Sequence, residues 1–102
     1  PAVSSGKVRL GACTFDMGRR ELRKDNAIVR LTTIEANLLT TLARNPSVAH
    51  SREDLMNRCR IDGGERTVDV QVNRLRAKIE SDPREPRFLQ TLRGQGYALY
   101  PD

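Results

Sequence analysis

The segment spanning residues 65–100 constrains the fold more than any other part of the chain. At about 100° per residue from a start near Thr67, its first apolar residues fall within about 40° of one helical face, a narrow stripe typical of a helix packed on a core. Because Pro83 disfavours helical geometry just before it, the helix should stop by about Ser81. The pattern predicts a helix over 67–80 with a buried stripe of Val68, Val72, Leu75 and Ile79.

Two short β-prone runs, 88–92 and 97–100, follow this helix and are joined by Arg93-Gly94-Gln95-Gly96. Glycine permits the positive φ of a tight turn, so we expect a hairpin over 88–100 with these glycines in its turn. They do not form a phosphate-binding motif, because no strand leads in and no helix leads out. Arg93 lies at the expected tip, where a projecting cation suits a phosphate or the minor groove of DNA.

The face of the predicted helix opposite the apolar stripe carries side chains that can read DNA. Residues 66–79 hold four basic residues and one acidic residue, Asp69, whereas a solvated face usually mixes the two signs more evenly. An ordinary solvated helix remains the alternative interpretation. We expect Asp69 to form a structural ion pair, with Arg76 or with a neighbour, because phosphates would repel its carboxylate. The face consists of Arg66, Val70, Asn73, Arg74 and Ala77, flanked by Thr67, Gln71 and Lys78.

Chemically, asparagine, glutamine and arginine side chains pair bidentately with base edges, and Val70 can touch a thymine methyl group.

The remainder of the chain predicts a sheet followed by two helices. Residues 1–6 are small and polar and are expected to be a linker end, and 7–31 contain four short strand candidates separated by turns. Thr32 and Glu35 form a capping-box pattern that starts a helix over 33–45. Ser51 caps a second helix over 51–59. The expected fold class is α+β.

These residues resemble the C-terminal winged-helix domain of OmpR/PhoB-class response regulators. The resemblance is carried by ERTVDVQVNRLRAKI and DPREPRFLQTLRGQGYAL, runs from about Lys7 to Asp102, and is closer to the OmpR branch. It implies a winged helix-turn-helix domain over 7–102, with an N-terminal antiparallel sheet, three helices and a C-terminal hairpin, the wing. Two departures matter: Ala36 replaces a common aromatic residue, and Asn73 and Ala77 replace residues that are often basic.

The resemblance also implies which residues contact DNA and RNA polymerase. The recognition helix lies in the major groove and the wing reaches the minor groove. The loop 60–65 contacts RNA polymerase in some members, which here would involve Arg60, Ile61, Asp62, Gly63, Gly64 and Glu65. The implied DNA contacts are Arg66, Thr67, Val70, Gln71, Asn73 and Arg74 in the helix, and Thr91 and Arg93 in the wing.

Composition agrees with a single domain that has an anionic partner. The 102 residues carry a net charge of +5 and a pI near 9.9. No apolar run approaches the ~18–20 residues of a membrane span. The sequence has two cysteines and no secretion signal, which predicts a reducing cytosol. Cys13 and Cys59 are expected to be small core residues. The sole histidine, His50, precedes a helix start and is expected in a loop, so we predict no metal, no cofactor and no enzymatic activity.

Together these patterns predict the cytoplasmic DNA-binding domain of a bacterial transcription factor. It would bind double-stranded DNA at paired half-sites, as a monomer alone and a dimer on DNA. A sensor histidine kinase would act through a receiver domain outside this chain. A protein-interaction module is the rival, with the loop 60–65 and the sheet 7–31 as its working surfaces. A small hydrolase or metal enzyme is a weaker third, given the single histidine.

Overall fold

A computed structural model describes residues 6–102; residues 1–5, most of the expected linker end, lie outside the described residues. The chain forms a sheet, then three helices, then a hairpin. The elements are β1 (Lys7–Leu10), β2 (Cys13–Asp16), β3 (Glu21–Lys24), β4 (Ala27–Val29), α1 (Thr33–Arg44), α2 (Arg52–Cys59), α3 (Glu65–Ile79), β5 (Leu89–Leu92) and β6 (Gly96–Leu99).

The N-terminal sheet is an antiparallel meander in the order β1-β2-β3-β4. Apolar and polar residues alternate along β1 and β2, so one face of the sheet is buried and the other is exposed. The register pairs Val8 with Phe15 and Phe15 with Leu22, which places these side chains in one row of the core. The sheet thereby covers one side of the helical layer.

Local capping signals set the ends of α1 and α2. The predicted capping box is confirmed: Glu35 N donates to Thr32 Oγ1 at 3.1 Å, and Thr32 N donates to Glu35 Oε1 at 2.9 Å. Ser51 caps α2 by accepting from Asp54 N at 3.0 Å. Asn45 is the C-terminal cap of α1 and precedes Pro46, whose ring disfavours helical geometry in the residue before it.

Helix α3 begins at Glu65, two residues before the start expected from its apolar stripe. Gly64 is the N-cap, and Glu65 occupies a first turn that favours acidic residues, so the helix extends beyond the periodic signal. At the other end Glu80 adopts extended geometry as the C-cap. The predicted buried stripe is confirmed, with Val68, Val72 and Leu75 fully buried and Ile79 nearly so.

The hairpin β5-β6, which we call the wing, closes the core. Leu89 and Leu99 face each other across it and are fully buried with the sheet and helix residues. The predicted α+β winged helix-turn-helix fold is confirmed, with the four-stranded sheet on one side and the wing beside α3. Among residues 6–102, no helix is long and apolar enough to cross a membrane.

Candidate nucleic-acid interface

The outer face of α3 presents the side chains predicted to read bases. Val70 is 42% exposed, unusual for a valine in a well-packed helix. Thr67 and Gln71 are half-buried on the flank. Within residues 6–102, neither Arg66 nor Arg74 has an ion-pair partner, so both guanidinium groups are available to an external anion. The exposed members of the face are Arg66, Val70, Asn73, Arg74 and Ala77.

The tip of the wing is a tight turn that projects a second arginine. Gln95 N donates to the carbonyl of Leu92 at 2.8 Å, and Gly94 has a φ of +75° at the third position of the turn. A type II turn needs positive φ there, which glycine adopts without steric cost. Arg93 is exposed and has no ion-pair partner within the described part of the chain. The turn therefore holds a cation with no ion-pair partner among the described residues.

Arg76 joins α3 to the wing instead of pairing with Asp69. Its Nε donates to the carbonyl of Leu89 at 3.0 Å and its Nη2 donates to Thr91 Oγ1 at 2.7 Å. Its guanidinium carbon lies 5.6 Å from the centroid of the Tyr97 ring, a cation–π distance. Thr91 is exposed while accepting this bond, so its hydroxyl can still donate to an outside acceptor.

Asp69 forms the structural ion pair expected of it, with a neighbour from another helix. Arg52 Nε, at the start of α2, donates to Asp69 Oδ1 at 2.8 Å. The hydroxyl of Tyr97 donates to the same oxygen. The carboxylate is thus compensated by an arginine and does not confront DNA as a bare charge.

Two further carboxylates hold the C-terminal half of α3. Glu35, almost fully buried, pairs with Lys78 Nζ at 2.5 Å. Lys78 also donates to the carbonyl of Arg30 at 2.7 Å. The ammonium group of Lys78, predicted on the flank of the DNA-facing surface, is therefore used in contacts within the domain. Glu80 accepts from the backbone N–H groups that lead into the wing, those of Arg87, Phe88 and Leu89. These contacts position α3 rigidly on both the sheet side and the wing side.

The candidate polymerase loop is only partly a loop. Ile61 is 3% exposed and belongs to the core, so its side chain cannot contact a partner protein. Glu65 lies in the first turn of α3. Apart from Ile61, all members of the segment are exposed: Arg60, Asp62, Gly63, Gly64 and Glu65.

Two residues have roles that local sequence patterns did not predict. His50, expected in a loop, is buried and pairs with Tyr97 in an isolated antiparallel β-bridge, with Nδ1 3.0 Å from Asp54 Oδ2. Gly96, expected only as a turn residue, packs directly against the His50 backbone. Neither contact carries a signal in the sequence, because the partners are remote along the chain.

The cysteines occupy the core positions expected of them. Cys13 and Cys59 are buried and unpaired, and burial raises the pKa of both thiols. Within residues 6–102, no group of three or more histidine, cysteine, aspartate or glutamate side chains could hold a metal ion.

A helix with unpaired arginines on its exposed face, beside a hairpin that carries another, is typical of a winged-helix DNA-binding domain. The family described as "Transcriptional regulatory protein, C terminal" matches residues 25–99. The chain belongs to this family, as the DNA-binding domain of an OmpR/PhoB-type response regulator.

Relatives of known sequence agree with this assignment. Protein PetR of Rhodobacter capsulatus is 43% identical over 111 residues, which cover 99% of this chain and 47% of PetR. The probable transcriptional regulator ycf27 of Guillardia theta is 37% identical, over 93% of this chain and 39% of its own length. The chain therefore spans less than half of the length of these relatives.

Solved structures share the fold. Response regulator DrrB of Thermotoga maritima, an OmpR/PhoB homolog, superimposes with a TM-score of 0.83 at 28% identity, covering 93% of this chain and 44% of DrrB. The RstA DNA-binding domain of Klebsiella pneumoniae, crystallised with the RstA box, gives a TM-score of 0.77 at 30% identity, covering 92% of this chain and 96% of that domain. The OmpR/PhoB resemblance is confirmed, whereas placement in the OmpR branch stays a prediction.

Proposed function

We propose that this domain binds specific double-stranded DNA sites by placing α3 in the major groove and the wing on the adjacent minor groove and backbone. The observation that carries the proposal is that two neighbouring elements both expose arginines without an ion-pair partner among residues 6–102. These are Arg66 and Arg74 on α3 and Arg93 on the wing. The RstA DNA-binding domain, which is similar in fold, was crystallised in complex with the RstA box, and this likeness supports DNA binding by the present domain.

Individual roles follow from exposure and chemistry. Arg74 and Asn73 face outward and suit bidentate contacts to a guanine and an adenine, while Val70 suits a thymine methyl group. Arg66 and Arg93 suit phosphates, and the half-buried Thr67 and Gln71 suit contacts at the edge of the groove. Thr91 can donate to a phosphate while accepting from Arg76.

The setting of the domain in a longer protein is part of the proposal. A receiver domain, phosphorylated by a sensor histidine kinase, would bring two copies onto paired half-sites in a bacterial cytoplasm, and the isolated domain would be a monomer without DNA. We also place the protein in the OmpR branch, because QVNRLR and DPREPRFLQT resemble that branch more closely.

Selection of bound duplexes from a random pool at about 0.15 M salt tests the main claim. Two similar half-sites with centres about 10–11 bp apart should be enriched. An Asn73→Ala, Arg74→Ala double variant should enrich a more degenerate motif, whereas Arg44→Ala, at the exposed end of α1, should enrich the wild-type motif. Binding without enrichment would leave only phosphate contacts, and absence of binding would favour the protein-interaction module.

The exposed part of the loop 60–65 is proposed as the polymerase contact. Asp62 is exposed there, so Asp62→Arg should weaken recruitment of purified RNA polymerase to a promoter complex even though the added positive charge favours DNA binding. Asp25→Arg is the control for charge, since Asp25 is also exposed and takes the same change of charge but lies in the turn between β3 and β4. Equal recruitment by both variants would remove this loop from the interface.

A further inference from the structure

Three elements of the DNA-facing side meet at Arg52, Asp69 and Tyr97, which we call the wing tie. Arg52 is the first residue of α2, Asp69 lies in α3, and Tyr97 lies in β6. A single oxygen, Asp69 Oδ1, accepts from Arg52 Nε at 2.8 Å and from the Tyr97 hydroxyl. No other described carboxylate joins both neighbouring elements to α3.

The protonation states of Tyr97 and Arg52 keep both groups as hydrogen-bond donors to Asp69. Burial raises the pKa of Tyr97, and the hydrogen bond to Asp69 raises it further. The hydroxyl therefore stays protonated at neutral pH and remains a donor. The hydrogen bond to Asp69 raises the pKa of Arg52, which stays a cation at any physiological pH.

The backbone of Tyr97 is also fixed to the segment that leads into α2. Its N–H donates to the carbonyl of His50 at 2.9 Å, and its carbonyl accepts from His50 N at 2.8 Å. The backbone bonds alone would leave the wing held to the start of α2, whereas the hydroxyl ties it directly to α3. Arg76 provides the second link, through Leu89 and Thr91 of the other wing strand.

The separation of α3 and the wing matters because both must fit DNA at the same time. Contacts to base edges require the reading groups to be held to within about 0.5 Å, whereas a long arginine on a phosphate tolerates displacement. A looser wing would therefore shift Asn73 and Arg74 relative to the bases while Arg93 could still follow the backbone. Discrimination between sequences would suffer more than general attraction to DNA.

We propose that Asp69 and Tyr97 are positioning residues for sequence discrimination: the wing tie sets the angle between α3 and the wing without contacting DNA. This inference rests on the proposed function. It assigns to an acidic residue of the recognition helix a role in selectivity that its charge alone would not suggest.

The sharpest test is Tyr97→Phe, which removes one hydroxyl and keeps the ring beside Arg76. Dissociation constants are measured for a selected duplex and a random duplex of equal length, over several salt concentrations. The ratio of the random-duplex dissociation constant to the selected-duplex dissociation constant should fall about tenfold. The random-duplex constant itself, and the slope of log Kd against log salt concentration, should stay unchanged. Tyr100→Phe is the matched control, because the hydroxyl of Tyr100 has no hydrogen-bond partner within residues 6–102, and its ratio should be that of the wild type.

Asp69→Ala supplies a second, independent signature. It removes the acceptor as well as a negative charge on the side of the domain that faces DNA, so random-duplex affinity should rise while the ratio falls. The Asp69→Ala, Tyr97→Phe double variant should lose no more discrimination than Asp69→Ala alone, because both single changes break the same contact. Thermal unfolding confirms that each variant is folded at the assay temperature.

The outcomes separate this inference from the proposed function. A wild-type domain that prefers no duplex overturns the proposed function and the wing tie with it. A discriminating wild type with an equally discriminating Tyr97→Phe variant overturns only the wing tie. Equal loss of affinity for both duplexes also overturns it, since that result belongs to a direct phosphate contact or to lost stability.

Discussion

Gly96 in the wing lies so close to the backbone of His50 that no side chain fits between them. A β-carbon on Gly96 would overlap the carbonyl group of His50 and approach the α-carbon of Ser51. Gly96 also has a φ of +114°, which L side chains rarely adopt. The absence of a side chain is thus what lets β6 reach the start of α2 and form the two backbone bonds between Tyr97 and His50.

Replacing Gly96 should therefore be one of the most damaging single changes in the domain. Gly96→Ala combines an unfavourable φ with a backbone overlap that can be relieved only by moving the wing, and should lower the free energy of unfolding by about 3 kcal/mol or more. Urea unfolding followed by circular dichroism measures this loss.

Gly94→Ala separates the two causes. Gly94 also has positive φ, but a β-carbon there meets nothing within 4 Å. Only backbone strain remains, so the loss should be about 1 kcal/mol. Equal losses for the two variants would show that the contact with His50 is unimportant.

Arg74 should contribute to sequence reading. Arg74→Ala should cost about 1–3 kcal/mol of binding free energy on the selected duplex, because a bidentate contact to a guanine is lost. The loss on a random duplex should be smaller, as measured by fluorescence anisotropy on both. Equal losses would make Arg74 a phosphate contact.

Arg93 should behave as a phosphate contact. Arg93→Ala should weaken binding to all duplexes similarly and reduce the slope of log Kd against log salt concentration by about 0.9, the value for one neutralised phosphate. Titrations across a salt series measure the slope, with Arg44→Ala as the exposed-arginine control. An unchanged slope would remove Arg93 from the interface.

The buried pair of Glu35 and Lys78 should make stability depend on pH in acid. Burial acts to raise the pKa of Glu35, but hydrogen bonds from Lys78 and Thr32 outweigh it and hold the pKa below its ordinary 4.5. A carboxyl with a lower pKa in the folded state stabilises the fold fully above pH 4.5, and this contribution is lost as the pH falls through the folded value.

Glu35→Gln should therefore lower the free energy of unfolding by about 2 kcal/mol at neutral pH, with the difference from the wild type shrinking below the ordinary pKa. Urea titrations at several pH values measure it. Glu53→Gln is the control: Glu53 is exposed in the first turn of α2 and should change stability by about 0.5 kcal/mol or less at any pH. A difference for Glu35→Gln that stays constant with pH would contradict the ion-pair explanation.

Features that depend on short-range spacing were predictable. The apolar stripe of α3, the Thr32–Glu35 capping box and the alternation along β1 and β2 arise between residues a few positions apart, and the structure has each of them. The start of α3 was misplaced by two residues, because Gly64 and Glu65 begin a helix without joining its apolar period.

Features that depend on chain-distant partners were not predictable. Lys78 was expected on the flank of the DNA-facing surface, but it reaches Glu35, which lies 43 positions earlier. Ile61 was expected in an exposed loop and is buried, because the core extends beneath that loop. In each case the residue type allowed several environments, and only folding selected one.

The sequence by itself determined which side of α3 and of the first two strands packs inward, where the helices stop, and that a basic helix and a hairpin follow one another, because periodicity, caps and prolines act within a few residues. Only the tertiary structure decided how that helix and hairpin are held together. Asp69 meets Arg52 and Tyr97, and Gly96 meets His50, through contacts that exist only once the chain brings distant segments within hydrogen-bonding distance.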